Sequence, residues 1–308
     1  MKILLATEKP FAAQAVLEIK EIVADAGYDF VVLEKYTGKA QLLAAVKDVD
    51  GIIIRSDIID EEVMAAAPQL KIVIRAGAGY DNVSLDAATQ RGICVMNTPG
   101  QNANAVAELA LGLMVFAIRN FYDGSSGTEL LGKRLGIHAY GNVGRNVARI
   151  AKGFGMEVYA YDAFCPAEVI EKDGVKPLSS AEELYSACQY VSLHIPATAE
   201  TKNSINLALL ERLPSKAMLI NTARKEVINE AELEKFLEIR PDFKYLTDIT
   251  PGNDAVLKEK FPKRYFSTPK KMGAQTAEAN INAGLAAARQ MASFFQSGDE
   301  RFRVNGKG

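Results

Sequence analysis

The sequence predicts an α/β protein made of two doubly wound parallel-sheet domains. Short apolar strands alternate with amphipathic helical stretches almost from end to end, the pattern of parallel sheets with helical crossovers. The alternation runs in two series, and 308 residues are enough for two cores. The second series opens with a strand, a glycine turn, a helix and a second strand that stops at an acid.

The first series places strands at Ile3–Ala6, Phe30–Leu33, Ile52–Ile54, Ile72–Ile74 and Cys94–Met96, with helices such as Phe11–Ala26 and Gln41–Val46 between them. Asn97-Thr98-Pro99-Gly100 is the expected crossing point between domains. A long helix containing Ala105–Arg119 follows. Its apolar part is interrupted by Glu108 and is too short to span a bilayer, so it reads as buried. After the loop-like Asp123–Gly127, the second series has strands at Gly136–Ala139, Val158–Tyr161, Val191–His194, Met218–Asn221 and Tyr245–Asp248. The last helix, Ala274 to about Phe295, is alanine-rich with little polar surface and is expected to dock on another element.

Hydrophobic content of 48% and charged content of 24% are ordinary for a globular chain. A net charge of −2 leaves no basic footprint, which argues against a nucleic-acid partner. Cys94, Cys165 and Cys188 have no metal-ligand spacing, so no metal site is expected and the thiols read as reduced. The N-terminal MKILLATEKP has only a four-residue apolar run, a first strand rather than a signal peptide. A cytoplasmic protein with no membrane association is expected.

The stretch Leu135–Asp162, LGIHAYGNVGRNVARIAKGFGMEVYAYD, carries the most chemistry. Gly141 permits close backbone approach to a phosphate, and Gly144 permits tight packing of helix on strand. The helix beginning near Asn142 offers unpaired N–H groups and a positive dipole end. Asp162 can accept two ribose hydroxyls and would repel a 2′-phosphate. The unit therefore predicts a dinucleotide, and NAD over NADP. Ala139 departs from the pattern, standing where the first glycine of G-x-G-x-x-G belongs.

With this unit, the segments R-A-G-A-G-Y-D-N (Arg75–Asn82), V-M-N-T-P-G, V-S-L-H-I-P-A-T-A-E-T, L-I-N-T-A-R, T-D-I-T-P and T-P-K-K-M-G-A-Q-T occur in an order that resembles the D-2-hydroxyacid dehydrogenases, the phosphoglycerate-specific members above all. The resemblance implies a Rossmann-type NAD domain at 98–279 and a smaller flavodoxin-like substrate domain made of 1–97 and 280–308. It also implies a homodimer formed across the nucleotide domains, with cofactor and substrate meeting between the domains; because the chain stops soon after the last helix, the regulatory domain of longer members is not expected. Cofactor contacts are implied at Gly141, Asn142, Val143, Gly144, Asp162, His194, Pro196, Thr201, Thr222, Ala223, Asp248 and Gly273.

Oxidation of a 2-hydroxy acid needs a carboxylate anchor, a proton acceptor and a hydride acceptor. Arg224, after the strand Met218–Asn221, offers a planar fork for the carboxylate. The turn Gly77-Ala78-Gly79 can present backbone N–H groups to the same carboxylate. The resemblance calls for a histidine in a T-P-H-x-G segment, yet the chain reads Thr268-Pro269-Lys270-Lys271-Met272-Gly273. Lys271 takes the histidine's place counting back from Gly273, and Lys270 counting forward from Pro269; Lys271 is preferred. His138 reads as a packed strand residue, and the resemblance sets His194 beside the cofactor. A lysine acting as a base near neutrality needs nearby positive charge and desolvation to bring it down by about three pH units. The glutamate that serves the family's histidine is missing from Asp248–Asp254 as well, which is coherent with a lysine. Arg55-Ser56 and Arg75 lie at strand ends, where two arginines could clamp a second anion such as a phosphate. These residues predict an NAD-dependent dehydrogenase of an anionic small molecule, 3-phosphoglycerate first. Another 2-hydroxy acid, or a non-catalytic NAD-sensing protein, stays open.

Overall fold

The computed structural model describes residues 1–306, which fold as two compact units. The first combines Met1–Asn102 with residues 276–306. Its strands are β1 (Lys2–Thr7), β2 (Asp29–Glu34), β3 (Gly51–Ile54), β4 (Ile72–Arg75) and β5 (Cys94–Asn97). They form one parallel sheet in the order β2-β1-β3-β4-β5, the flavodoxin-like arrangement. Helices cover both faces, which is why β3 and β4 read as nearly unbroken apolar runs. Leu4, Ile52, Ile54 and Val73 fill one face. Ile3, Leu5, Ile53 and Ile74 fill the other, beneath the helices Ala13–Asp25 and Ala277–Ser297. The last helix is alanine-rich because it lies close: a Cβ on Gly284 would come within 2.9 Å of Ile19 Cδ1, and one on Gly51 within 2.5 Å of Met291 Sδ. The Thr276 hydroxyl accepts from the Ala279 N–H to start this helix, and left-handed Gly298 ends it.

The second unit, Ala103–Gln275, carries β6 (Arg134–His138), β7 (Glu157–Tyr161), β8 (Lys176–Pro177), β9 (Tyr190–Leu193), β10 (Met218–Asn221), β11 (Lys244–Thr247) and β12 (Tyr265–Ser267). All pair in parallel, in the order β12-β11-β10-β9-β6-β7-β8. Chain direction across the sheet reverses between β6 and β9. Crevices at such a switch point open at the carboxyl ends of the strands. The buried helix Ala103–Ile118 lies against this sheet, with Ala107, Ala110, Met114 and Ala117 fully or almost fully enclosed. Among the described residues no helix is long and apolar enough to cross a membrane.

Both parallel sheets are as expected, but strand limits differ. Strands β8 and β12 were not expected: they are two and three residues long, pair on one side only, and border Pro177 and Pro269. Three central strands also stop one residue early, leaving Ala139, His194 and Asp248 just beyond the ladder. Each of those residues stands at the carboxyl edge of the sheet.

Candidate active site

At the end of β6 the chain turns sharply. Ala139 has φ 80°, the left-handed geometry that a glycine would adopt without strain. It keeps the turn regular by donating its N–H to the Tyr161 carbonyl at 2.8 Å. Gly141 precedes the helix Asn142–Gly153, and among the described residues no side chain caps that helix. Its first N–H groups, from Asn142 to Gly144, therefore project from the helix end. Space in front of Gly141 is open, with nothing within 4 Å of a Cβ placed there. Gly144 is the opposite case: a Cβ would fall 2.4 Å from the Ala139 carbonyl oxygen.

Asp162, at the end of β7, closes the turn. Its Oδ2 accepts from the Tyr140 N–H at 2.6 Å, and its Oδ1 from Phe164 and Cys165 at 2.7 and 2.9 Å. The sequence suggested a hydroxyl acceptor there and gave no sign of this bracing. Beside it opens a cavity of about 650 Å³ with a mainly apolar wall. Asp162, Pro196 and Thr201 all line it, together with His138, Glu182 and Ile195. The Thr201 hydroxyl donates to the Pro196 carbonyl at 2.6 Å and so fixes that rim. His194 lies outside the lining: its Nε2 pairs with Ser192 Oγ at 2.9 Å, and its N–H with the His138 carbonyl. Burial, then repulsion from His138, lowers His194 to about 3. Burial also lowers His138 to about 4, against the opposing pull of Asp162 and Glu182.

A second cluster forms at the carboxyl ends of β10 and β11. Asn221, fully buried, accepts from the Ala223 N–H through Oδ1 and donates through Nδ2 to the Arg224 carbonyl. This ring folds Thr222-Ala223-Arg224 out of the sheet. Sequence reading passed over Asn221, whose amide sets the turn. Arg224 is half-buried, donates to the Ala223 carbonyl and makes no ion pair among the described residues. The Thr222 hydroxyl is buried and has no partner among the described residues.

Asp248 follows β11 and is wholly enclosed. Its Oδ2 accepts from the Met272 N–H at 3.1 Å and the Gly273 N–H at 2.7 Å. Its Oδ1 is buried without a partner among the described residues. The Thr268 hydroxyl donates to the Lys270 carbonyl at 2.7 Å. The loop bearing Lys270 and Lys271 is thus tied on both flanks, and both lysines are exposed. A Cβ on Gly273 would crowd Asp248 Oδ2 at 3.0 Å and Val106 at 3.2 Å, so that position suits glycine. Asp254 is committed to Tyr265, Ser267 and Lys258. The carboxylate that reaches this stretch comes from Glu230, on the Gly252 N–H.

In the first unit, Arg55 extends both terminal nitrogens to the carbonyls of Lys9 and Pro10 and to Asn280 Oδ1, with its guanidinium over the Phe11 ring. It makes no ion pair among the described residues, and burial lowers its pKa. Ser56 is exposed. Arg75 donates from Nε to the Arg55 carbonyl at 3.0 Å and brings Nη1 against Gly77, where a Cβ would fall 1.5 Å from it. Gly77 also has φ +147°. Its carbonyl and that of Ala78 are held by the Thr98 N–H and Asn97 Nδ2. Among the described residues the N–H groups of Ala78 and Gly79 have no partner.

Residues 116–269 match the model of the D-isomer specific 2-hydroxyacid dehydrogenase NAD-binding domain. A D-3-phosphoglycerate dehydrogenase of Methanocaldococcus jannaschii is 34% identical over 82% of this chain and 51% of its own. The chain belongs to the D-2-hydroxyacid dehydrogenase family. A hydroxypyruvate reductase of Thermotoga maritima is 31% identical over 82% of this chain and 87% of its own. The NAD+-bound 3-phosphoglycerate dehydrogenase structure from Entamoeba histolytica is 47% identical, covers 99% of both chains and has a TM-score of 0.87. This chain spans about half the length of the first curated relatives it matches.

The second unit fits NAD, the family's cofactor. It offers an open Gly141, an uncapped helix start, a carboxylate beside an apolar cavity, and unpartnered buried oxygens on Thr222 and Asp248. Gly141 to Gly144 would hold the pyrophosphate, Asp162 with Pro196 and Thr201 the adenosine half, and Thr222, Ala223, Asp248 and Gly273 the nicotinamide half.

Proposed function

We propose that the protein interconverts D-3-phosphoglycerate and 3-phosphohydroxypyruvate as a step of serine biosynthesis, acting as a cytoplasmic homodimer. The observation that carries this reading is the carboxyl edge of the small sheet, where the guanidinium groups of Arg55 and Arg75 accompany the two unpartnered N–H groups of Ala78 and Gly79. A lactate-like acid has no second anion to occupy such a set. The near-half identity to the Entamoeba histolytica phosphoglycerate dehydrogenase supports the same substrate.

Bound NAD supplies the hydride acceptor. Arg224, which makes no ion pair among the described residues, grips the substrate carboxylate and polarises the C2 oxygen. In the first unit the Ala78 and Gly79 N–H groups are free to bind a carboxylate oxygen, and Arg55 with Arg75 takes the phosphate. Lys271, its loop held by Asp248 and Thr268, gives the C2 hydroxyl its proton in reduction and takes it in oxidation once bound substrate and cofactor cover the exposed side chain. An ammonium group is already a competent donor for the reductive direction.

The deciding experiment follows NADH oxidation with phosphohydroxypyruvate, hydroxypyruvate, pyruvate and glyoxylate in parallel. Preference for the phosphorylated substrate by tenfold or more in kcat/KM is expected. Equal turnover of hydroxypyruvate would favour the second reading, a hydroxypyruvate reductase, which the full-length Thermotoga maritima relative supports. No turnover of any, with NADH still bound, would point to an NAD-sensing protein.

A further inference from the structure

His138 stands on the wall of the nucleotide cavity, among apolar strand ends and the polar side chains of Asp162, Glu182, Thr201, Asn206 and Arg212. The residue is 8% exposed and lines that cavity. Tyr161 and Tyr185 hold it from two sides, with ring centroids 5.8 and 5.9 Å away, the second edge-on. Nδ1 is sealed from solvent and has no hydrogen-bond partner among the described residues. A buried N–H without an acceptor is costlier than a buried lone pair without a donor, so the sealed nitrogen is the one left without a proton. The neutral ring therefore carries its proton on Nε2. That nitrogen also lacks a protein partner among the described residues and, unlike Nδ1, is not sealed. Burial keeps the ring neutral at physiological pH, its pKa lowered to about 4. An N–H donor that finds no acceptor in the protein, on the wall of a cavity sized for a nucleoside, has its acceptor in the ligand. Asp162 and Glu182 on the same wall are acceptors, so the imidazole adds a donor beside them.

We infer that His138 reads the purine base of the bound dinucleotide by donating Nε2–H to a ring nitrogen, making it a base-selectivity residue of the NAD site. This rests on NAD binding to the second unit, not on the identity of the hydroxy acid.

The test is displacement of NADH, followed by its fluorescence, from the full chain by AMP and by 1-deaza-, 3-deaza- and 7-deaza-AMP. Each analogue replaces one ring nitrogen by C–H without changing shape. One of the three should bind the unmodified protein about tenfold more weakly than AMP, because it leaves the imidazole N–H facing carbon. His138→Phe should close that gap, while His138→Gln, which keeps an N–H at similar reach, should retain most of it. Equal binding of all four nucleotides to the unmodified protein overturns the inference without recourse to any variant. A gap that survives in folded His138→Phe overturns it as well. Failure of NADH itself to bind would instead defeat the cofactor assignment on which it stands.

Discussion

Two glycine-pattern residues in the nucleotide turn make opposite predictions. Ala139 holds φ 80°, a conformation that costs an L-residue about 1–2 kcal/mol, partly recovered through its stiffer unfolded chain. Ala139→Gly should therefore stabilise the protein by roughly 0.5–1 kcal/mol with NAD affinity intact, measured as a rise in the urea midpoint; a lower midpoint would show that the methyl packs usefully. Gly144→Ala drives a Cβ to 2.4 Å from a backbone carbonyl that cannot rotate away. A loss of about 2–3 kcal/mol is expected, with NADH binding weakened at least tenfold. At the chemical end, Lys271→Ala should lower kcat by about a hundredfold or more with NADH binding unchanged, and Lys270→Ala by much less. Equal and small effects would remove both lysines from the chemistry. The departure at Ala139 and the lysines at the histidine position were legible in the sequence, because they break a spacing. Asn221 was not, since an asparagine at a strand end announces nothing until its two amide bonds are seen.

Elements show how the chemistry is held. Strand β11 ends at Thr247 so that Asp248 can leave the ladder and receive two N–H groups from the loop after β12. That loop has no regular structure of its own. Its geometry comes from Asp248 on one flank and Thr268 on the other. Asp248→Ala would leave the buried Gly273 N–H unsatisfied and release the lysines, at a cost of about 2–4 kcal/mol. Asp248→Asn keeps one acceptor oxygen and should cost less than half of that. The check is to compare kcat and proteolytic cleavage within 268–275 for the two variants. Equal resistance to protease in both would mean that the loop is held by something other than the carboxylate. The central strands were readable from apolar runs buried on both faces, whereas β8 and β12 were not. An edge strand of two or three residues buries too little to impose a pattern, and Pro177 reads as a breaker.

At the scale of the molecule, the two histidines couple stability to pH. His138 and His194 both sit at the carboxyl edge of one sheet, neutral, and lowered to about 4 and about 3 by burial. In the unfolded chain each regains a value near 6.5. Between those limits the unfolded state binds more protons than the folded one, so stability rises with pH. Their contribution is complete above about 6.5 and is lost as pH falls toward 4. From pH 7 to pH 5 each imidazole should remove about 2 kcal/mol, well above the range in which most carboxylates titrate. Urea unfolding followed by circular dichroism should show a midpoint falling steadily over that interval. His138→Phe should halve the slope without abolishing it, since His194 remains buried beside Ser192. A flat profile from pH 7 to pH 5 would mean that the edge of the sheet is wet enough to protonate both rings in the folded state. It would also undercut the neutral imidazole donor assigned to the base pocket, because a pocket that hydrates His138 supplies its N–H with water and leaves nothing for a purine to satisfy.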